Sequence, residues 1–168
     1  DALQRLNQSG GQPLPLNASR WVEDAGIGTL YVRLRGAVAA VEAACQNMGG
    51  TRMDTSQAAI DWQACKEQSL PWFAARNAAD CLWRLSVPQT APALQLPAGV
   101  APELVEWHGA QRWVQAPRSM GPQLHALAQA VGGSASLFRA TSAEQISDEA
   151  IFEPKLVAMQ RIHQQMQQ

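Results

Sequence analysis

In the stretch GTLYVRLRG, apolar and polar positions alternate. Leu30, Val32 and Leu34 fall on one side, and Tyr31, Arg33 and Arg35 on the other, which is the period-two signature of a half-buried strand. The period then lengthens: in AVAAVEAACQNMGG, Val38, Val41, Cys45 and Met48 recur at helical spacing until Gly49 and Gly50 end the pattern. A short strand, TRMDT, is expected next. A helix should follow through TSQAAIDWQACKEQSL, with Thr55 or Ser56 as its N-cap and Pro71 as its limit. CLWRLSVP reads as another strand, with Trp83, Leu85 and Val87 on one side and Leu82, Arg84 and Ser86 on the other, closed by Pro88. ELVEWHGAQRWVQA predicts a hairpin that turns near Gly109 and Ala110 and carries Trp107 and Trp113 in its two arms. SMGPQLHALAQAVGG returns to helical spacing through Leu124, Leu127, Ala128 and Val131, and SASLFRA is the strand after it. Residues 1–28, rich in Gly, Pro, Asn and Ser, predict an extended lead-in with turns. A last helix is expected where Phe152, Leu156, Met159, Ile162 and Met166 form a stripe.

The order helix, Gly-Gly, strand thus occurs twice, over 37–54 and 119–140, which suggests two βαβ-like halves. The fold expected is α+β: a ferredoxin-like antiparallel sheet with helices on one face and an additional C-terminal helix. It should form one domain over 29–168 behind the lead-in. Helices would then cover the apolar side of the sheet and leave the other side open. Alternation assigns to that open side Arg33, Arg35, Arg84, Glu106, His108 and Arg139, together with Leu82 and Leu137. An arginine on an exposed sheet face commonly stays solvated and covers apolar surface with its stem. Guanidinium groups contributed by several strands can instead converge on a planar carboxylate and bind it bidentately.

Composition narrows the partners. With 168 residues, 46% of them apolar and 16% charged, the chain has the content of one globular domain. A net charge of -1 provides no electrostatic footprint for nucleic acid or an anionic membrane. Cys45, Cys65 and Cys81 form no CxxC pair and have no neighbouring histidine, so they read as buried thiols in a reducing compartment, with no metal site. The sequence contains no GxGxxG, P-loop, nucleophile elbow or HExxH. The tryptophans sit inside apolar patterns and lack the basic interleaving of a single-strand binder, a placement that suits packing better than base stacking. His108 is a base or an ordinary turn histidine, and His125 and His163 fall in helical segments. The chain opens at Asp1, and its last helical pattern runs to Gln168, so a piece cut from a longer protein is expected.

The segments GQPLPLNAS, LYVRLRGAVAAV, LPWF, LWRLSVP, EWHGAQRWV and GGSASLFRA, in this order, resemble the FAD-binding E-type subunit of bacterial glycolate oxidase. The resemblance runs through most of residues 10–160. It implies the carboxy-terminal, ferredoxin-like cap domain of a vanillyl-alcohol-oxidase-type flavoprotein, in which the sheet lies over the isoalloxazine ring and helps to shape the pocket for a small 2-hydroxy acid. FAD would then be held mostly by an amino-terminal domain outside this chain, and this fragment alone would carry none and be inactive. The implied partners are a second flavin subunit and an iron–sulfur subunit, and the implied location is cytoplasmic, with association to the inner membrane through the complex. Two features depart from the family. The chain stops before the family's closing segment, and His108 stands where glycine is expected. The competing expectation is a non-catalytic ferredoxin-like binding or assembly module that docks a partner protein through its open sheet face.

Overall fold

The computed structural model describes residues 2–24 and 26–141. In chain order its elements are α1 (Ala2–Gly10), β1 (Leu16–Asp24), β2 (Ile27–Leu34), α2 (Val38–Met48), α3 (Thr55–Glu67), α4 (Pro71–Ala74), β3 (Cys81–Ser86), β4 (Leu104–Glu106), β5 (Gln111–Ala116), α5 (Gly121–Ala130) and β6 (Ser134–Arg139). The strands form one six-stranded sheet in the order β2-β1-β4-β5-β3-β6, and all five pairings are antiparallel. The molecule is therefore α+β around an antiparallel sheet, as its periodicities predict.

Four local expectations are corrected. The lead-in contains α1 and β1, and β1 is an inner strand that pairs with both β2 and β4. LNASRWVED has the alternation of a strand, but the surrounding Gly, Pro and Asn hide it. TRMDT forms no strand. Asp54, not Thr55 or Ser56, caps α3, its Oδ1 accepting from the N–H groups of Ser56 at 2.9 Å and Gln57 at 3.2 Å. Trp107 belongs to the turn of the β4–β5 hairpin and not to an arm. The helix expected over Phe152–Met166 lies outside the described residues.

Residues opposite each other in an antiparallel pair project to the same side, so the register sorts the two faces. On one face Trp83, Leu85, Val114, Ala135 and Leu137 pack with Leu124 and Ala128 of α5. On the other, Leu82, Leu104, Trp113 and Val22 pack with Cys65 of α3 and with Leu70 and Phe73 around α4. Gln115 of β5 donates to the Trp72 carbonyl at 2.6 Å and ties α4 to that second face. Helices thus contribute to both sides. At β5 all six residues are buried: it presents Trp113 to one side and Val114 and Ala116 to the other, so both of its faces are covered.

Candidate functional site

The second face, opposite α5, carries the polar residues of interest in two rows. Along one row Arg20 stands opposite Glu106, which stands opposite Gln111, which faces Ser86. Along the next, Leu104 stands opposite Trp113, Trp113 opposite Arg84, and Arg84 opposite Ser136. The first row is closed over from Arg20 to Gln111. Arg20 is 5% exposed and Glu106 8% exposed, beneath α3. Glu106 Oε2 accepts from Trp113 Nε1 at 2.7 Å and from Gln111 Nε2 at 3.0 Å. Arg20 donates through Nη1 to Cys65 Sγ at 2.9 Å, and its guanidinium carbon lies 4.2 Å from the centre of the Tyr31 ring. Burial pushes the Cys65 thiol up, with Glu106 adding to the rise and Arg20 opposing it; the sulfur is an interior thiol between a cation and a carboxylate.

The second row opens at β3 and β6. Arg84 is half-buried, and its Nε is sealed from solvent without a hydrogen-bond partner. Its guanidinium carbon lies 5.9 Å from the centre of the Phe138 ring. Phe138 is 42% exposed, and Ser86 and Ser134 beside this row are also exposed. Trp113, 2% exposed, meets Phe138 edge to face at 4.9 Å and Phe73 at 5.7 Å. The result is a cation beside an open aromatic ring, backed by a fixed indole.

The sequence-derived candidates fare unequally. Arg84 lies on the second face as expected. Glu106 lies there too, but as an interior acceptor. Arg33 is on this face and exposed, its guanidinium 5.1 Å from the Trp62 ring. Arg35 lies past the end of β2, exposed, with its N–H bonded to the Pro15 carbonyl at 2.9 Å. Arg139 is exposed and set opposite Leu82 by a register shift, while Leu137 pairs with Trp83 on the α5 side, not on the open side that plain alternation gives it. His108 is not on the sheet face. It sits in the hairpin turn with left-handed backbone (φ 56°), its N–H donating to Ser19 Oγ at 2.8 Å, beside a cleft of about 370 Å³ lined by Leu6, Gln12 and Thr90. The arginines of β1 and β2 do not converge with Arg84. β1, with Arg20, is three strands from β3, about 14 Å at ordinary strand spacing, so one small carboxylate cannot bridge Arg20 and Arg84.

Sequence reasoning overlooked Arg20, hidden in the apparent lead-in, and Arg112. Arg112 has no exposed surface; it donates to Glu103 Oε1 and the Gly109 carbonyl, both at 2.7 Å, and to the Ala91 carbonyl at 3.4 Å. Its signal was present: in QRWVQA, Arg112 shares the parity of Val114 and Ala116, so alternation aims it into the α5 side, where a charge has to be paired.

Fold and site together define an α+β sheet domain that leaves one guanidinium–aromatic surface partly open and holds no cluster of metal-ligating side chains among the described residues. No family model and no solved structure matches the chain. Over its whole length of 168 residues the chain is 32% identical to "Glycolate oxidase subunit GlcE" of Escherichia coli (strain K12). It spans 42% of the length of that relative. The chain is thus a relative of part of a glycolate oxidase subunit, in agreement with the resemblance carried by LWRLSVP and EWHGAQRWV.

Proposed function

We propose that this chain is the carboxy-terminal cap domain of a glycolate oxidase flavoprotein subunit, and that its Arg84–Phe138 surface faces the substrate and the flavin. The observation that carries the reading is Arg84. Its Nε is sealed and unpaired next to an aromatic ring that is 42% exposed, on a surface the described helices leave open. A guanidinium held in that way suits the carboxylate of a small 2-hydroxy acid. In such a subunit this chain would meet the ring of FAD and the substrate, and the remainder of the protein would hold the nucleotide. FAD would supply the acceptor for the hydride leaving the hydroxyl-bearing carbon of the acid. Arg84 would bind and orient the acid, and Phe138 with Trp113 would exclude water from its neighbourhood.

On this reading the fragment alone is inactive, the subunit works in the cytoplasm, and its partners are a second flavin subunit and an iron–sulfur subunit. The test is expression of the complete reading frame with its neighbours, flavin quantitation, and a glycolate-dependent dye-reduction assay. Bound flavin and glycolate-dependent reduction that weakens in Arg84→Ala are expected. A flavin-free full-length protein, or unchanged KM and turnover in Arg84→Ala, would overturn the assignment.

A further inference from the structure

We propose that Phe138 sets the size limit of the acid at this surface: it admits a two-carbon acid bound through Arg84 and disfavours acids with a branched group on the carbon next to the carboxyl-bearing centre. The inference rests on the substrate-facing reading of Arg84 and adds the determinant of specificity.

Three observations carry it. The first is how the ring is placed. In the β3–β6 ladder Ser136 stands opposite Arg84 and Leu137 opposite Trp83, so Phe138, two residues on from Ser136, falls by alternation on the Arg84 side. Its ring accordingly lies on the Arg84 side, while neighbouring Leu137 belongs to the α5 core. The second is what stands behind the ring. Trp113 meets it edge to face at 4.9 Å and is itself held by its bond to Glu106 at 2.7 Å and its contact with Phe73 at 5.7 Å. The ring cannot retreat into the sheet without displacing a buried indole. The third is proximity. With the ring centre 5.9 Å from the Arg84 guanidinium carbon, a carboxylate paired with that guanidinium has the ring as its neighbour, and bulk added next to the carboxylate competes with the ring for space. Hydrophobic walls discriminate modestly by size, about 10- to 200-fold per methylene.

The test measures equilibrium binding, independent of turnover, in the flavin-loaded full-length subunit. The probes are three 2-oxo acids that lack an oxidisable hydroxyl: glyoxylate, pyruvate and 3-methyl-2-oxobutanoate. Calorimetric affinity is expected to fall along that series in the wild type. In Phe138→Ala the ratio between glyoxylate and 3-methyl-2-oxobutanoate should shrink by about tenfold or more, with Phe138→Leu between the two and the thermal midpoint little changed, since Phe138 is 42% exposed. Glyoxylate binding that weakens in Arg84→Ala while the size ratio stays constant in Phe138→Ala would overturn this inference alone. Affinities untouched by Arg84→Ala would overturn the substrate-facing reading and the size limit with it.

Discussion

Arg112 has no exposed surface, and Glu103, its ion-pair partner at 2.7 Å, is 8% exposed. Removing one member of such a pair strands the other as an uncompensated buried charge, which costs far more than the pair itself contributes. Arg112→Leu should therefore lower unfolding stability by about 3–5 kcal/mol, read as a shift of the urea midpoint; a loss within error would show that water reaches Glu103. The same carboxyl gives a pH signature. Burial raises the Glu103 pKa, and the nearby Arg112 only partly opposes the rise. A folded pKa above the unfolded one means that the proton stabilises the fold. That contribution is complete below the ordinary glutamate value of about 4.3 and is lost as pH rises through the folded pKa. Relative to Glu103→Gln, which cannot titrate, the wild type should lose stability as pH rises through that window, and a flat difference curve would contradict the burial. His108 is a third residue-scale case. At φ 56° its Cβ costs about 1–2 kcal/mol, and glycine's greater freedom in the unfolded chain returns about 0.5–1 kcal/mol of that. His108→Gly should stabilise by up to about 1.5 kcal/mol, measured by thermal unfolding.

Among the elements, β6 shows how a sequence pattern can be read correctly in place and wrongly in cause. The Gly-Gly before SASLFR predicts a helix end, and Gly132, at φ 79°, does sit just past α5. Gly133 has a different duty. A Cβ there would sit on the Ser86 carbonyl oxygen and 2.9 Å from Val87 Cα, at the point where β6 enters beside β3. Gly133→Ala should therefore cost clearly more than Gly50→Ala, whose Cβ would meet nothing within 4 Å and which suffers only from its positive φ. Comparing the two unfolding midpoints separates close approach from backbone conformation, and equal losses would remove the packing argument. The neighbouring bulge at Phe138 is likewise invisible to alternation, because one inserted residue shifts the side of everything after it.

Across the whole molecule, the sheet order decides what the arginines can do. Strands β1 and β3 are adjacent in neither sequence nor sheet, so Arg20 and Arg84 serve separate surroundings, one roofed by α3 and the other open. Arg84→Ala is accordingly expected to leave stability within about 1 kcal/mol. On the proposed substrate-facing reading, the same change in the full-length subunit should lower kcat/KM for glycolate by about tenfold or more, the scale of a lost hydrogen bond to a charged group. Urea unfolding and steady-state kinetics on one preparation check both; a large stability loss with unchanged kinetics would make Arg84 a packing residue.

Local sterics and burial write their periods directly into the chain, so β2, α2, β3, the β4–β5 hairpin, α5 and β6 were all legible from runs such as LYVRL, VAAVEAACQNM and CLWRLS. The motifs that mark the relationship to a glycolate oxidase subunit were legible there as well. Which face each side chain meets, and what covers it, was not. Arg33, Arg84 and Glu106 have the same parity rule and three different environments, because exposure depends on strand order, on register shifts and on where α3 and α4 come to rest. Those are settled by contacts between residues far apart in the chain, which no local period encodes.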